Sequence, residues 1–194
     1  MLMFGSSKLL SGVLFLGLVV SASCSRTGKE MAKAEESCMM ARYKDKMDRP
    51  SPPAMTSSQV GNARVSIDYS QPGVKGRQIW GDLVKFNKIW RTGANEANVL
   101  ETSAPLLVNG DTIPTGKFSL FAIPTPTDWT VVINKVYDQW GVYDYNPSED
   151  VARLTVRPVK VGDLQERMTF DIDSTGKIEF SWEYLRFNFK VQPL

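Results

Sequence analysis

From Ala63 onward, apolar residues recur at every second position. Ala63, Val65, Ile67 and Tyr69 fall on one side of an extended chain, and Arg64, Ser66 and Asp68 on the other. That is the pattern of a strand with one buried face. "QPGVKG" interrupts it with Pro-Gly, a turn pair. "PLLVNGDTI" places Asn109-Gly110 between apolar flanks, a strong hairpin signal. "KFSLFAI" (117–123) and "WTVVINK" (129–135) are apolar on both faces, as central strands are, with "PTPTD" as the loop between them. "VARLTVRPV" and "ERMTFDID" alternate again, and "STG" turns the chain into "KIEFSWEYLRFNFKV". In that last segment the apolar positions change phase. Ile178, Phe180 and Trp182 are even, while Leu185, Phe187, Phe189 and Val191 are odd. A one-residue slip flips every side chain, so the pattern predicts a bulge or break near Glu183-Tyr184. Eight or nine short strands at regular spacing, with no βαβ pattern, predict an all-β chain: a single β-sandwich, jelly-roll-like.

The N-terminus reads differently. Lys8 followed by the apolar run Leu9 to Val20 has the form of a secretory signal, and the run is shorter than the roughly 20 residues a membrane helix needs. It ends at Ser21-Ala22-Ser23-Cys24. Small residues before a cysteine suit lipoprotein processing, with Cys24 carrying the lipid. Ser21 departs from the Leu or Val usual there, and cleavage after Ser23 with plain secretion is the alternative. The expected organisation is a signal peptide over 1–23, a lipid-anchored or secreted tether over 24–58, and a sandwich over 59–194. In the tether, "PSPPAM" (50–55) enforces extended backbone and marks the boundary. The expected location is the cell envelope, periplasm or outer membrane, with the membrane as partner through Cys24. Cys38 is then a lone thiol; with Cys24 unmodified, the two are free to close a disulfide.

Composition removes several chemistries. The chain has no histidine and two cysteines, so histidine-based nucleophile machinery and imidazole or thiolate metal sites are not expected. No cofactor motif is present. Its 23 Lys and Arg are offset by 21 Asp and Glu, and the basic residues are scattered, so no nucleic-acid footprint arises. "DIDSTGKIE" imitates the start of a calcium loop, but its twelfth position is Trp182 and strands flank it. A plain turn is the better reading.

"IWRTGANEA" (89–97) concentrates what polar chemistry remains. Gly93 permits a tight turn that lets Arg91, Asn95 and Glu96 converge. In a structural reading, Trp90 packs in the core, Arg91 pairs with Glu96, and Asn95 ties off loop carbonyls. In a functional reading, the segment is a recognition floor for a small polar ligand or envelope glycan. Arg77 and Arg91 donate, Asn95 and Glu96 meet hydroxyls, and Trp90 or Trp140 offers a flat face. Asn134 either caps exposed backbone or adds to a pocket rim. A hydrolase alternative makes Glu96 one of two carboxylates, with Asp82, Asp144 or Asp150 as the other. A purely structural envelope protein is the third reading.

"YSQPGVKGRQIWGDLVKFNKIWRTGANEA", "PTGKFSLFAIP", "WTVVINK" and "QWGVYDY" together resemble the bacterial domain-of-unknown-function family 2911, over about Val60 to Val191. The resemblance implies an exported protein, often a lipoprotein of Bacteroidetes-type bacteria, and no established activity. It places Arg77, Trp90, Arg91, Asn95, Glu96, Asn134, Trp140 and Gly141 on the family's motif positions.

Overall fold

The computed structural model describes residues 44–194. The signal segment over 1–23, Cys24, Cys38 and the first part of the tether lie outside them. Ten strands follow one 3-10 turn: β1 (Pro53–Val60), β2 (Ala63–Ser70), β3 (Asn98–Thr102), β4 (Leu106–Val108), β5 (Asp111–Ile113), β6 (Gly116–Pro124), β7 (Trp129–Asn134), β8 (Asp150–Val156), β9 (Val159–Ile172) and β10 (Lys177–Pro193). They form two antiparallel sheets packed as a sandwich, in the orders β1-β2-β3-β6-β7-β8 and β5-β4-β10-β9. The larger sheet runs in chain order except for one excursion, in which β4 and β5 join the other sheet before β6 returns. Asn109 and Gly110, both at positive φ (52° and 94°), turn β4 into β5.

The alternation read from the sequence sets the interior. Val65, Ile67, Leu100, Leu120, Val131 and Ile133 from the larger sheet meet Phe170, Ile178, Phe180 and Trp182 from the smaller one, all buried in one core. A second, small cluster of Ala97, Phe121 and Val132 lies on the other side of the larger sheet. Its partly buried neighbours Ile89, Val142 and Tyr145 come from the loops that cross that face.

Two expectations are corrected. The domain does not begin at Gln59: β1 starts at Pro53 and pairs with β2 along its whole length, from Pro53↔Ser70 to Val60↔Ala63. Proline at the first position of an edge strand costs no ladder bond, and the polar run Thr56 to Gln59 suits an edge better than a tether. The strand count is ten, because the supposed tether supplies one strand and Pro158 separates β8 from β9.

The phase change in β10 has a specific cause. The Val191 amide donates to the Gly176 carbonyl at 2.9 Å, and the Phe180 and Phe187 rings stack 4.7 Å apart. Gly176 and Val191 could not meet along a straight strand, so β10 bends strongly around the Glu183-Tyr184 step. It pairs with β9 on both sides of this step, from Ile178↔Ile172 to Arg186↔Val159, and with β4 at Val191 to Pro193. Glu183 takes φ +55°, and the β9 register shifts on either side of it. Such an irregularity within a strand shifts the alternation by one residue, which is why even positions face the core before Glu183 and odd ones after it. The calcium-like segment is a turn, as its spacing implied: Asp173 Oδ1 accepts from Thr175 N at 2.8 Å, Thr175 Oγ1 at 2.6 Å and Lys177 N at 3.1 Å.

Candidate functional site

The segment 89–97 begins as part of the larger sheet. Trp90 exchanges both backbone hydrogen bonds with Ala122, at 2.8 and 2.9 Å, so its indole points into the sandwich. There it stacks on Trp182 at 5.9 Å and 17° and meets Trp80, Trp129 and Phe180 edge-on. Trp90 therefore packs its ring against the core, where it is partly buried. Arg91 takes the opposite direction. Its Nη1 lies 3.3 Å from where a Cβ on Gly141 would stand, so the glycine makes room for the guanidinium. The buried Nε has no hydrogen-bond partner. Burial draws the Arg91 pKa down, opposed by Tyr143.

The chain then leaves the sheet through two residues in the left-handed region, Thr92 (φ 55°) and Asn95 (φ 61°). For a β-branched threonine this backbone is unusual, and neighbours hold it. The Thr92 carbonyl accepts from Asn98 Nδ2 at 2.6 Å. Gly93 between them has no space for a side chain, since a Cβ would sit 2.7 Å from Asn98 Oδ1.

That path turns Asn95 and Glu96 toward the segment preceding β1. Asn95 Nδ2 donates to the Ser51 carbonyl and to Ser70 Oγ, each at 3.1 Å. Glu96 does not pair with Arg91, as the structural reading expected. Lys46 Nζ donates to it at 2.7 Å, and Arg49 Nη1 reaches both its oxygens at 3.0 and 2.9 Å. Arg49 also lies over the Trp140 ring, 6.0 Å from its centroid. Trp140 is half-exposed, and its backbone bridges that of Glu96. Residues 46–51 are thus latched onto the loop by one carboxylate and one amide.

Burial pushes the Glu96 carboxyl up, but the hydrogen bonds from Lys46 and Arg49 outweigh it, and the group sits below its ordinary 4.5. A depressed carboxyl stabilises the fold fully above its unfolded pKa, and that contribution is lost as pH falls through the folded value. Backbone amides of residues 46–49 and 51 should therefore be less protected in acid than at pH 7, relative to strands β6 and β7. Equal protection of the segment at pH 7 and pH 3 by hydrogen-exchange mass spectrometry would show that Glu96 does not hold it.

Beside the latch lies a cavity of about 360 Å³ on the outer face of the larger sheet. Lys46 and Glu96 form one wall; Asp68, Val99 and Lys117 rise from the outward positions of β2, β3 and β6; Tyr137, Asp138 and Gln139 close it from the β7–β8 loop. Gln139 is 6 % exposed, and its Oε1 has no partner, while its Nε2 donates to the Val136 carbonyl at 2.6 Å. Lys117 Nζ stands 6.0 Å from the Tyr137 ring centroid.

Of the residues the sequence singled out, Glu96 lines this cavity, and Asn95 and Trp140 adjoin it through the latch. Arg77 lies elsewhere in the chain's contacts: its Nε donates to the Val74 carbonyl at 3.1 Å and its Nη2 to that of Gly73. No contact joins it to Arg91 among the described residues. Asn134 is fully buried and saturated. It donates to the Asn146 carbonyl at 2.9 Å and Asp150 Oδ1 at 2.8 Å, and accepts from Val136 N at 3.0 Å. It secures the loop without reaching the cavity. The acids suggested as partners for Glu96 do not line the cavity either. Asp150 is bound by Arg153 and Tyr145, and Asp82 pairs with Lys85 at 3.4 Å. Lys46 and Arg49 went unread because their segment shows no periodicity, and Gln139 because nothing in a loop sequence marks a side chain as turned inward.

A two-sheet sandwich with one polar, open cavity on its outer face, walled by crossing loops, is the class of protein that the fold and site define. The chain belongs to the family described as a protein of unknown function (DUF2911), whose model matches residues 51–191. The match begins two residues before β1, and Lys46 and Arg49 precede it. No curated protein and no solved structure matches the chain.

Proposed function

We propose that this protein is an exported, membrane-tethered sandwich that binds a small polar, hydroxyl-rich ligand, such as an envelope sugar, in the cavity beside Glu96. The carrying observation is the cavity's lining: carboxylates, ammonium groups and a buried amide oxygen without a partner, set between Val99 and the Tyr137 ring. Convergent polar groups beside apolar surface are what fixes a small polar ligand in such a site. A volume of about 360 Å³ falls within the roughly 300–1,000 Å³ of small-molecule pockets, room for a small sugar. Lys8, the apolar run to Val20 and Cys24 support export and anchoring.

The test is a panel of mono- and disaccharides and an envelope-glycan array, applied to the purified full chain in detergent. At least one sugar should bind, and Glu96→Gln or Lys117→Ala should weaken it about tenfold. An empty panel, or undiminished binding by both variants, would rule the cavity out as a sugar site. In cells, the native chain should fractionate with membranes and Cys24→Ser should not; equal fractionation would remove the anchor.

A further inference from the structure

A second cavity, of about 300 Å³, opens where the bend of β10 meets the β6–β7 turn and Pro158. Three aromatic rings line it, those of Trp80, Phe86 and Trp129. The two indoles lie 4.7 Å apart at 60°. Phe86 is held against Gly81, where a Cβ would come within 2.9 Å of its ring. Aromatic rings around a small space attract cations through their negative faces.

The cavity also contains one charge of each sign. Glu183 stands at the β10 bend with its backbone at φ +55°. Its Oε2 accepts from Trp80 Nε1 and from Tyr184 N, both at 2.9 Å, and these two donors fix the carboxylate. Oε1 has no protein partner among the described residues. Lys160 pairs through its backbone with Leu185, two positions beyond Glu183. Both side chains line the cavity, yet no ion pair links them among the described residues. Opposite charges in so small a space ordinarily approach one another, because attraction grows as separation falls. Here the hydrogen bonds on Glu183 hold one of them back.

We propose that this cavity binds a zwitterion, with the ligand's ammonium group among Trp80, Phe86 and Trp129 beside Glu183 and its acidic group on Lys160. The site is independent of the cavity beside Glu96 and stands or falls separately. A free solute and a lipid headgroup share this chemistry.

Binding is measured by calorimetry on the full chain with glycine betaine and phosphocholine, against choline as cation alone and inorganic phosphate as anion alone. At least one zwitterion should saturate, with affinity about tenfold above choline and phosphate. Lys160→Ala should reduce the zwitterion to the level of choline and leave choline unchanged. Glu183→Gln keeps an acceptor for Trp80 and should weaken zwitterion and choline alike. Sedimentation with phosphatidylcholine vesicles identifies a lipid source; binding of the free zwitterion without vesicle capture identifies a solute. The proposal is overturned if neither zwitterion saturates, or if both variants bind as the native chain does.

Discussion

Gly176→Ala is expected to destabilise the fold by about 3–5 kcal/mol, near the top of the range for a single substitution. A Cβ at this position would lie 2.1 Å from the Val191 carbonyl oxygen and 3.0 Å from Val60 Cγ1. The first of these is backbone, so no rotamer change relieves it. The residue also has φ +83°, a conformation costing an L-residue about 1–2 kcal/mol on its own. Separating the two strands would break the 2.9 Å bond between Val191 N and Gly176 O, and Val191 is where β10 pairs with β4. Gly110→Ala supplies the control, since its φ is +94° but nothing lies within 4 Å of the added carbon. Urea unfolding of both variants separates backbone strain from collision. Similar midpoints for the two would mean that the approach of Val191 to Gly176 is not a feature of the folded protein.

Trp129→Ala comes second, with an expected loss of about 3–5 kcal/mol, the range for truncating a buried aromatic. Trp129 is 2 % exposed. It contacts the rings of Trp80, Trp90, Phe180 and Phe187 at 4.7, 6.1, 6.0 and 5.4 Å. Those four rings come from a loop, from the family-motif segment and from β10 on either side of Glu183. Truncation leaves a void that none of them can fill without leaving its other partners. Trp129→Phe, which retains most of the volume, should lose less than half as much. Thermal unfolding in which alanine and phenylalanine behave alike would show that the aromatic cluster does not depend on this indole.

The fold was largely legible because a half-buried strand leaves a period-two signature, and Val65, Ile67 and Tyr69 of β2 carry it plainly. Even the bulge in β10 announced itself, as a change of parity at Glu183-Tyr184. β1 did not, because an edge strand with half-buried positions on both faces shows little alternation. The candidate site was legible in part. That "WRTGANEA" is unusual could be read directly, but the direction of each side chain could not. Thr92 and Asn95 lie in the left-handed region, and each such residue redirects the chain in a way no periodicity records. That Arg91 and Glu96 part company was therefore unreadable, and so was the approach of Lys46 and Arg49 to Glu96. Sites built from loops and a terminal segment depend on tertiary contacts, to which local patterning is blind.

The pairing of β10 with β4 has a kinetic consequence. Pro193 sits opposite Leu106, 87 positions earlier in the chain, and this contact completes the smaller sheet. Closing so long a loop is entropically slow. On the ribosome, β1 through β7 can form their neighbouring hairpins while the chain is still emerging. The second layer cannot close until Pro193 has been synthesised. A truncation removing the last few residues should therefore yield nascent chains that stay protease-sensitive and dependent on chaperones.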